Sequence, residues 1–194
     1  MLDYIYLAFP TAISKFSYSF HDDKTHGIDT KNIPSDTTLV IAPDASSNEY
    51  DTHKALSEKG IDVLVIDHHQ ADRISEYACV VNNQLCDYPN KALSGVGVVY
   101  KVCQRFDELM NTDYANQLVD LVMLGLTGDM MDLRSLETKY LVNQGIAHLR
   151  NPFIKGMAEK NEHSLGSQIT PIGVAFYIVP YVNAVTRVGT QEEK

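Results

Sequence analysis

The chain is short of several things at once. Its three cysteines, Cys79, Cys86 and Cys103, are an odd set without the spacing of a zinc site or a disulfide framework. Free thiols in a reducing compartment are therefore expected, and with them a cytoplasmic location. No apolar run reaches the length of a membrane span, and the N-terminus lacks a basic stretch leading into an apolar one, so no membrane association is expected. Positive charge is scarce: 16 Lys and Arg stand against 25 Asp and Glu, for a net charge of −9. That balance argues against broad, non-specific clamping of nucleic acid. It leaves room for a small phosphodiester site in which metal ions neutralise the phosphates locally. Repeats and linker-like stretches are missing too. What remains is 194 residues, 44% hydrophobic and 21% charged, the make-up of an ordinary globular protein. The chain reads as one compact domain over 1–194, with a sheet-rich half over 1–85 and a mostly helical half over 94–194.

The stretch that organises the rest is Asp62-Val-Leu-Val-Ile-Asp-His-His-Gln70. Val63 to Ile66 is a short, wholly apolar, largely β-branched run, the pattern of a strand covered on both faces of a parallel sheet. It ends abruptly in Asp67, His68 and His69. A carboxylate and two imidazoles at the mouth of a buried strand need partners to offset desolvation, and ligands of open α/β sheets gather where strands end. Asp plus His also suits divalent manganese, iron or zinc. Taken alone, the same letters describe a strand-end turn with two solvated histidines.

Thr38 to Ala42 reads as a second buried strand, closed by Pro43 and Asp44. Ser46 followed by Glu49 has the spacing of a capping box, opening a helix that Gly60 stops. Strand, helix and strand then make a βαβ unit with a right-handed crossover. In that unit Asp44 and Asp67 leave the sheet on one edge. Asp44 is equally readable as a turn or cap residue. The predicted fold class is α/β, a parallel sheet flanked by helices, with a helical C-terminal half.

Elsewhere, residues 1–9 alternate strand formers and predict a strand. Residues 10–37 predict irregular structure, in which His21-Asp22-Asp23 is either a small metal cluster or a solvated loop. Tyr77 to Asn82 predicts a short strand. Ser94-Gly-Val-Gly97 opens a helix through about Met110; its glycines fit either approach to a phosphate or close helix packing. Helices follow over Tyr114–Leu126, Leu136–Leu149 (Tyr140, Leu141, Ile146 and Leu149 inward, His148 on the surface) and Pro152–Lys160. From Pro171 a further helix runs to a break or kink at Pro180. Asp129, in Thr-Gly-Asp-Met-Met-Asp-Leu, again sets an acid directly after a buried element.

Three of these features in order, Asp44 after a strand, Val65-Ile-Asp-His-His69 after the next, and Gly128-Asp-Met-Met-Asp-Leu133, resemble the DHH phosphoesterase superfamily. Ser94-Gly-Val-Gly97 and Tyr177-Ile-Val-Pro-Tyr-Val-Asn-Ala-Val-Thr-Arg-Val-Gly189 are similar to segments of its branch of RecJ-type single-strand-specific exonucleases. The resemblance implies a five-stranded parallel sheet and a pair of divalent ions, Mn2+ or Mg2+. It implies that Asp44 bridges or approaches both ions, that His68 and Asp129 ligate one, and that Asp67 and His69 support or complete the shell. Asn183 and Arg187 are implied near the substrate path, with Arg187 pairing a phosphate. The implied reaction is phosphodiester hydrolysis on single-stranded DNA or a short oligonucleotide.

The chain departs from the family's pattern in four places. The family's Asp-x-Asp-Gly motif is absent, residues 1–9 aligning with the strand after it. The closing DHHA1-type domain is absent, Tyr181 stands where the branch usually has Arg, and Ala45 replaces the usual Cys-Gly after Asp44. The expectation is a fragment or a degenerate relative, with low turnover by these 194 residues alone and one ion, or none, well held. Two other readings follow from the same residues. One is a phosphoesterase acting on oligoribonucleotides or cyclic dinucleotides. The other is an inactive scaffold that binds a partner, against which the intact Asp44, Asp67, His68, His69 and Asp129 argue.

Overall fold

A computed structural model of the chain describes residues 1–19, 27–166 and 168–189. The His21-Asp22-Asp23 cluster lies outside the described residues. The chain divides into a sheet unit, His21–Val99, and a helical unit made of Met1–Phe20 and Tyr100–Lys194.

The sheet unit contains β1 (Leu39–Pro43), α2 (Tyr50–Ser57), β2 (Asp62–Asp67), β3 (Cys79–Asn82) and the first turn of α3 (Gly95–Met110). Among the described residues the sheet has three parallel strands in the order β1-β2-β3, where the resemblance implies five. The apolar runs behave as a parallel sheet requires. Val63, Val65 and Ile66 are buried in the central strand, and Leu56 of α2 packs on Val63 and Val65. Each of these side chains is worth about 1.5–3 kcal/mol removed from water. Ile28, Ile33, Val40, Ile61, Ala78 and Val80 extend that core. Gly60, with φ +75, closes the turn after α2, where the Ile61 N–H reaches the Leu56 carbonyl at 3.0 Å. Only a residue tolerant of the left-handed region ends a helix this way.

The start of α2 differs from the capping-box expectation. The helix begins at Tyr50, and no side chain caps it. Asp44 and Ser46 take left-handed φ values of 61° and 80°, so the chain turns before the helix can open. Ser46 Oγ is buried without a hydrogen-bond partner. The Glu49 carboxylate, instead of reaching back to residue 46, accepts the Ile28 N–H at 2.9 Å.

The helical unit holds α1 (Leu2–Ala8), a 3-10 turn (Pro10–Lys15), the rest of α3, a 3-10 turn (Ala115–Leu118), α4 (Val119–Gly128), α5 (Leu136–Ala147), α6 (Pro152–Lys160), α7 (Glu162–Leu165), α8 (Pro171–Tyr177) and α9 (Val179–Val188). The strand expected over residues 1–9 is a helix. Ile5 N–H bonds to the Met1 carbonyl and Phe9 N–H to that of Ile5. The adjacent Tyr4 and Ile5 are both buried, whereas strand neighbours point to opposite faces. Residues 1–20, expected with the sheet-rich half, accordingly belong to the helical unit.

Its core is α4 packed against α5, α8 and α9, with Met123, Leu126, Val142, Val174 and Ile178 fully buried. Tyr140, expected inward, is exposed, and Val142 takes the inward place on α5. The long helix expected over Tyr114–Leu126 is split at Leu118, where the 3-10 turn gives way to α4. Pro180 lies at the break between α8 and α9, as expected. No described helix is long and apolar enough to cross a membrane.

Candidate metal centre

The sheet register builds the site. Pro43 pairs with Ile66 and Asp67 with Asn82, so Asp44, Asp67 and Asn82 stand in one row at the carboxyl ends of three strands. The Asp44 N–H bonds to the Ile66 carbonyl at 2.7 Å, which carries the ladder one residue beyond β1. The expected shared edge for Asp44 and Asp67 is therefore what the strands produce.

Asp44, His68 and His69 converge. His68 Nε2 is 3.3 Å from Asp44 Oδ1. One donor atom from each of the three residues lies within 4.8 Å of the others. The two imidazole rings are 4.5 Å apart between centroids and tilted by 57°. Asp44 and His69 are open to solvent while His68 is mostly covered, so the group faces outward from the sheet edge.

Asp67 sits behind this group and is 1% exposed. Its Oδ1 accepts the His68 N–H at 2.8 Å, the His69 N–H at 3.3 Å and the His69 Nδ1–H at 2.7 Å, and its Oδ2 accepts the Ser47 N–H at 3.2 Å. Burial alone would raise this carboxyl, but the four donors outweigh it and hold it below the ordinary carboxylate range. An ionised carboxylate only accepts hydrogen bonds, so the proton between the pair rests on His69 Nδ1. In the neutral ring that tautomer carries its lone pair on Nε2, the nitrogen away from Asp67.

Two further residues were not singled out in the sequence, and the first of them holds the turn. Asn82 Nδ2 donates to Ser47 Oγ at 2.8 Å and to the His69 carbonyl at 2.9 Å, tying β3 to both turns. The signal available for Asn82 was a buried-strand residue ending in an amide. His53 on α2 is fully buried, and burial pulls its imidazole below its ordinary value against the opposing pull of Glu49. It is a neutral core histidine.

The other candidates stand in the helical unit. Asp129 is exposed at the C-terminal end of α4, ahead of Met130 with φ 51. Asn183 and Arg187 are exposed on α9, four residues apart and hence on one helix face. His148 caps the end of α5 on the surface, as expected.

The donor set fits a divalent cation. Two donors each ~2.1 Å from a shared ion stand roughly 3–4 Å apart, the scale of the Asp44–His68 contact. Carboxylate and imidazole suit manganese without thiolates.

An Asp-His-His turn at this place in a parallel sheet defines a class. Residues 4–126 match the N-terminal domain of the DHH family, and the chain belongs to that family. It is 43% identical over 195 residues to the protein of Bacillus subtilis (strain 168) named as the SPbeta prophage-derived single-strand DNA-specific exonuclease YorK. That match takes in all of this chain and 34% of the relative, so the chain spans about a third of its length. Two solved structures share the fold. A manganese-bound exonuclease RecJ has a TM-score of 0.73 at 24% identity, covering 88% of this chain and 44% of that one. RecJ from Thermus thermophilus in complex with Mn2+ has a TM-score of 0.65 at 25% identity, covering 80% and 24%.

Proposed function

We propose that the chain carries the metal-binding part of a RecJ-like exonuclease that hydrolyses phosphodiester bonds in single-stranded DNA. The observation that carries this reading is the 3.3 Å approach of His68 Nε2 to Asp44 Oδ1, with a donor atom of His69 beside them. A divalent cation, when bound, supplies positive charge against the phosphoryl oxygens and acidifies water. Asp44 offers an exposed carboxylate, and His68 and His69 offer ring nitrogens. Asp67 orients His69 through its Nδ1–H, the outer-shell arrangement that fixes tautomer and ring direction. The family likeness supports Asp129 as a further carboxylate ligand, a second ion in the full site, and Asn183 and Arg187 as groups that hold substrate. Arg187 suits a phosphate because its guanidinium can donate two parallel hydrogen bonds.

The test uses the chain in excess over an end-labelled single strand with Mn2+. Slow shortening from one end is expected, absent with Asp44→Asn, with the blunt duplex of the same sequence left intact. Cutting that needs no manganese, or that persists in Asp44→Asn, would count against the reading. Asp67→Asn is expected to weaken manganese binding about 10–100-fold with the fold retained, because the His69 ring exchanges a charged acceptor for a neutral one; calorimetric titration gives the number. Asp129→Asn is expected to lower manganese affinity as well, and unchanged binding would remove Asp129 from the ligand set.

A further inference from the structure

The first residue of α3 presses on Asp44. The Ser94 carbonyl accepts the Val98 N–H at 3.0 Å, so Gly95 is the first helical residue, and it is buried. A methyl carbon at Gly95 would fall 2.6 Å from Asp44 Cβ and closer still to its carboxylate. Real side chains do not approach that closely. Of the two readings of the Gly-x-Gly stretch, close packing and phosphate approach, the packing one holds at Gly95, and what packs there is a metal-site carboxylate.

We propose that Gly95 is a positioning residue: its missing side chain is what lets the Asp44 carboxylate stand beside His68. The proposal rests on Asp44 being a metal ligand only for its consequence in binding; the steric contact exists without it. Three facts leave Asp44 little freedom to yield. Its backbone is tied to β2 by the 2.7 Å bond to the Ile66 carbonyl. Its φ of 61 is a left-handed well with narrow limits. Its carboxylate already meets His68 on one side. A side chain at Gly95 would therefore be relieved by turning the carboxylate away from His68 Nε2. The start of the 16-residue α3 adds a favourable partial positive charge next to that carboxylate.

Gly95→Ala, Asp44→Gly and the double variant test this by manganese titration and by metal-free melting. Glycine accepts the backbone of residue 44 and removes the three atoms nearest the new methyl, Asp44 Cβ, Cγ and Oδ1. The expected result is manganese binding at least tenfold weaker in Gly95→Ala. The same substitution should lower the metal-free melting temperature in the wild-type background and leave it equal or higher in the Asp44→Gly background. If Gly95→Ala fails to fold while the double variant folds, the coupling is present in extreme form and the proposal stands. Wild-type manganese affinity in Gly95→Ala, or an equal loss of metal-free stability in both backgrounds, overturns it. If the wild type itself ignores manganese, the metal reading of Asp44 falls, and the proposal is decided by the metal-free coupling alone.

Discussion

Manganese at about a hundred times its dissociation constant is expected to raise the melting temperature of this chain by roughly 5–10 °C, and His68→Ala is expected to abolish the rise. Binding to the folded state at that ratio adds ~2.7 kcal/mol. For a domain of this size each kcal/mol moves the midpoint by about 2–4 °C. His68 supplies the ring nitrogen nearest Asp44 and is the most covered of the three converging side chains. Of the three converging donors, removing it leaves only an exposed carboxylate and one exposed imidazole, which weakens the hold on an ion below what that concentration can fill. Thermal melts with and without Mn2+ decide the matter. Equal shifts in the wild type and His68→Ala would mean that the ions bind elsewhere on this acidic chain.

The second large effect concerns stability alone. Asp107 on α3 is 5% exposed and accepts the Tyr4 hydroxyl at 3.2 Å, the Thr112 hydroxyl at 2.6 Å and the Ala115 N–H at 2.7 Å. It joins three separate segments of the helical unit, one of them the N-terminal helix. Asp107→Ala leaves two buried donors and one half-buried donor unmatched, at a cost of about 2–4 kcal/mol by the usual penalty for such groups. Burial opposes the charge on Asp107, but the hydrogen bonds outweigh it and hold its pKa below the ordinary carboxylate value. A carboxylate whose folded pKa is depressed contributes fully above its unfolded value, about 3.9, and loses that contribution as pH falls through the folded value. Urea midpoints should therefore separate the wild type from Asp107→Ala at pH 7 and draw together below about pH 4. A separation that stays constant down to pH 2 would show that the charge on Asp107 contributes nothing.

The sheet edge was legible because its signals are local. Val63–Ile66 and Thr38–Ala42 are apolar runs too short for helices, and the helix between them forces the strands parallel. From there Asp44 and Asp67 had to emerge together. Gly60, Pro152, Pro171 and Pro180 marked element ends for equally local reasons. What stayed hidden depends on distant partners. Tyr4 and Ile5 become helical neighbours in a core whose hydrogen-bond acceptor, Asp107, lies 103 residues away. No alternation over nine residues reports that. The Ser46–Glu49 spacing was right for a capping box, but the left-handed turn at 44 and 46 spends the residues a cap would need. The sequence left Asp67 open between ligand and support, because nothing in it announces the Ser47 N–H, the two histidine backbone N–H groups and the His69 ring nitrogen that meet its carboxylate.

The left-handed backbone at residue 44 also limits how this position can change over time. Few side chains sit there without strain; asparagine is among them and has the same shape as aspartate. A one-base drift to asparagine would pass every fold-level constraint while discarding the negative charge. Natural relatives carrying Asn at this turn should thus be well-folded proteins with little hold on a cation, recognisable from that single letter.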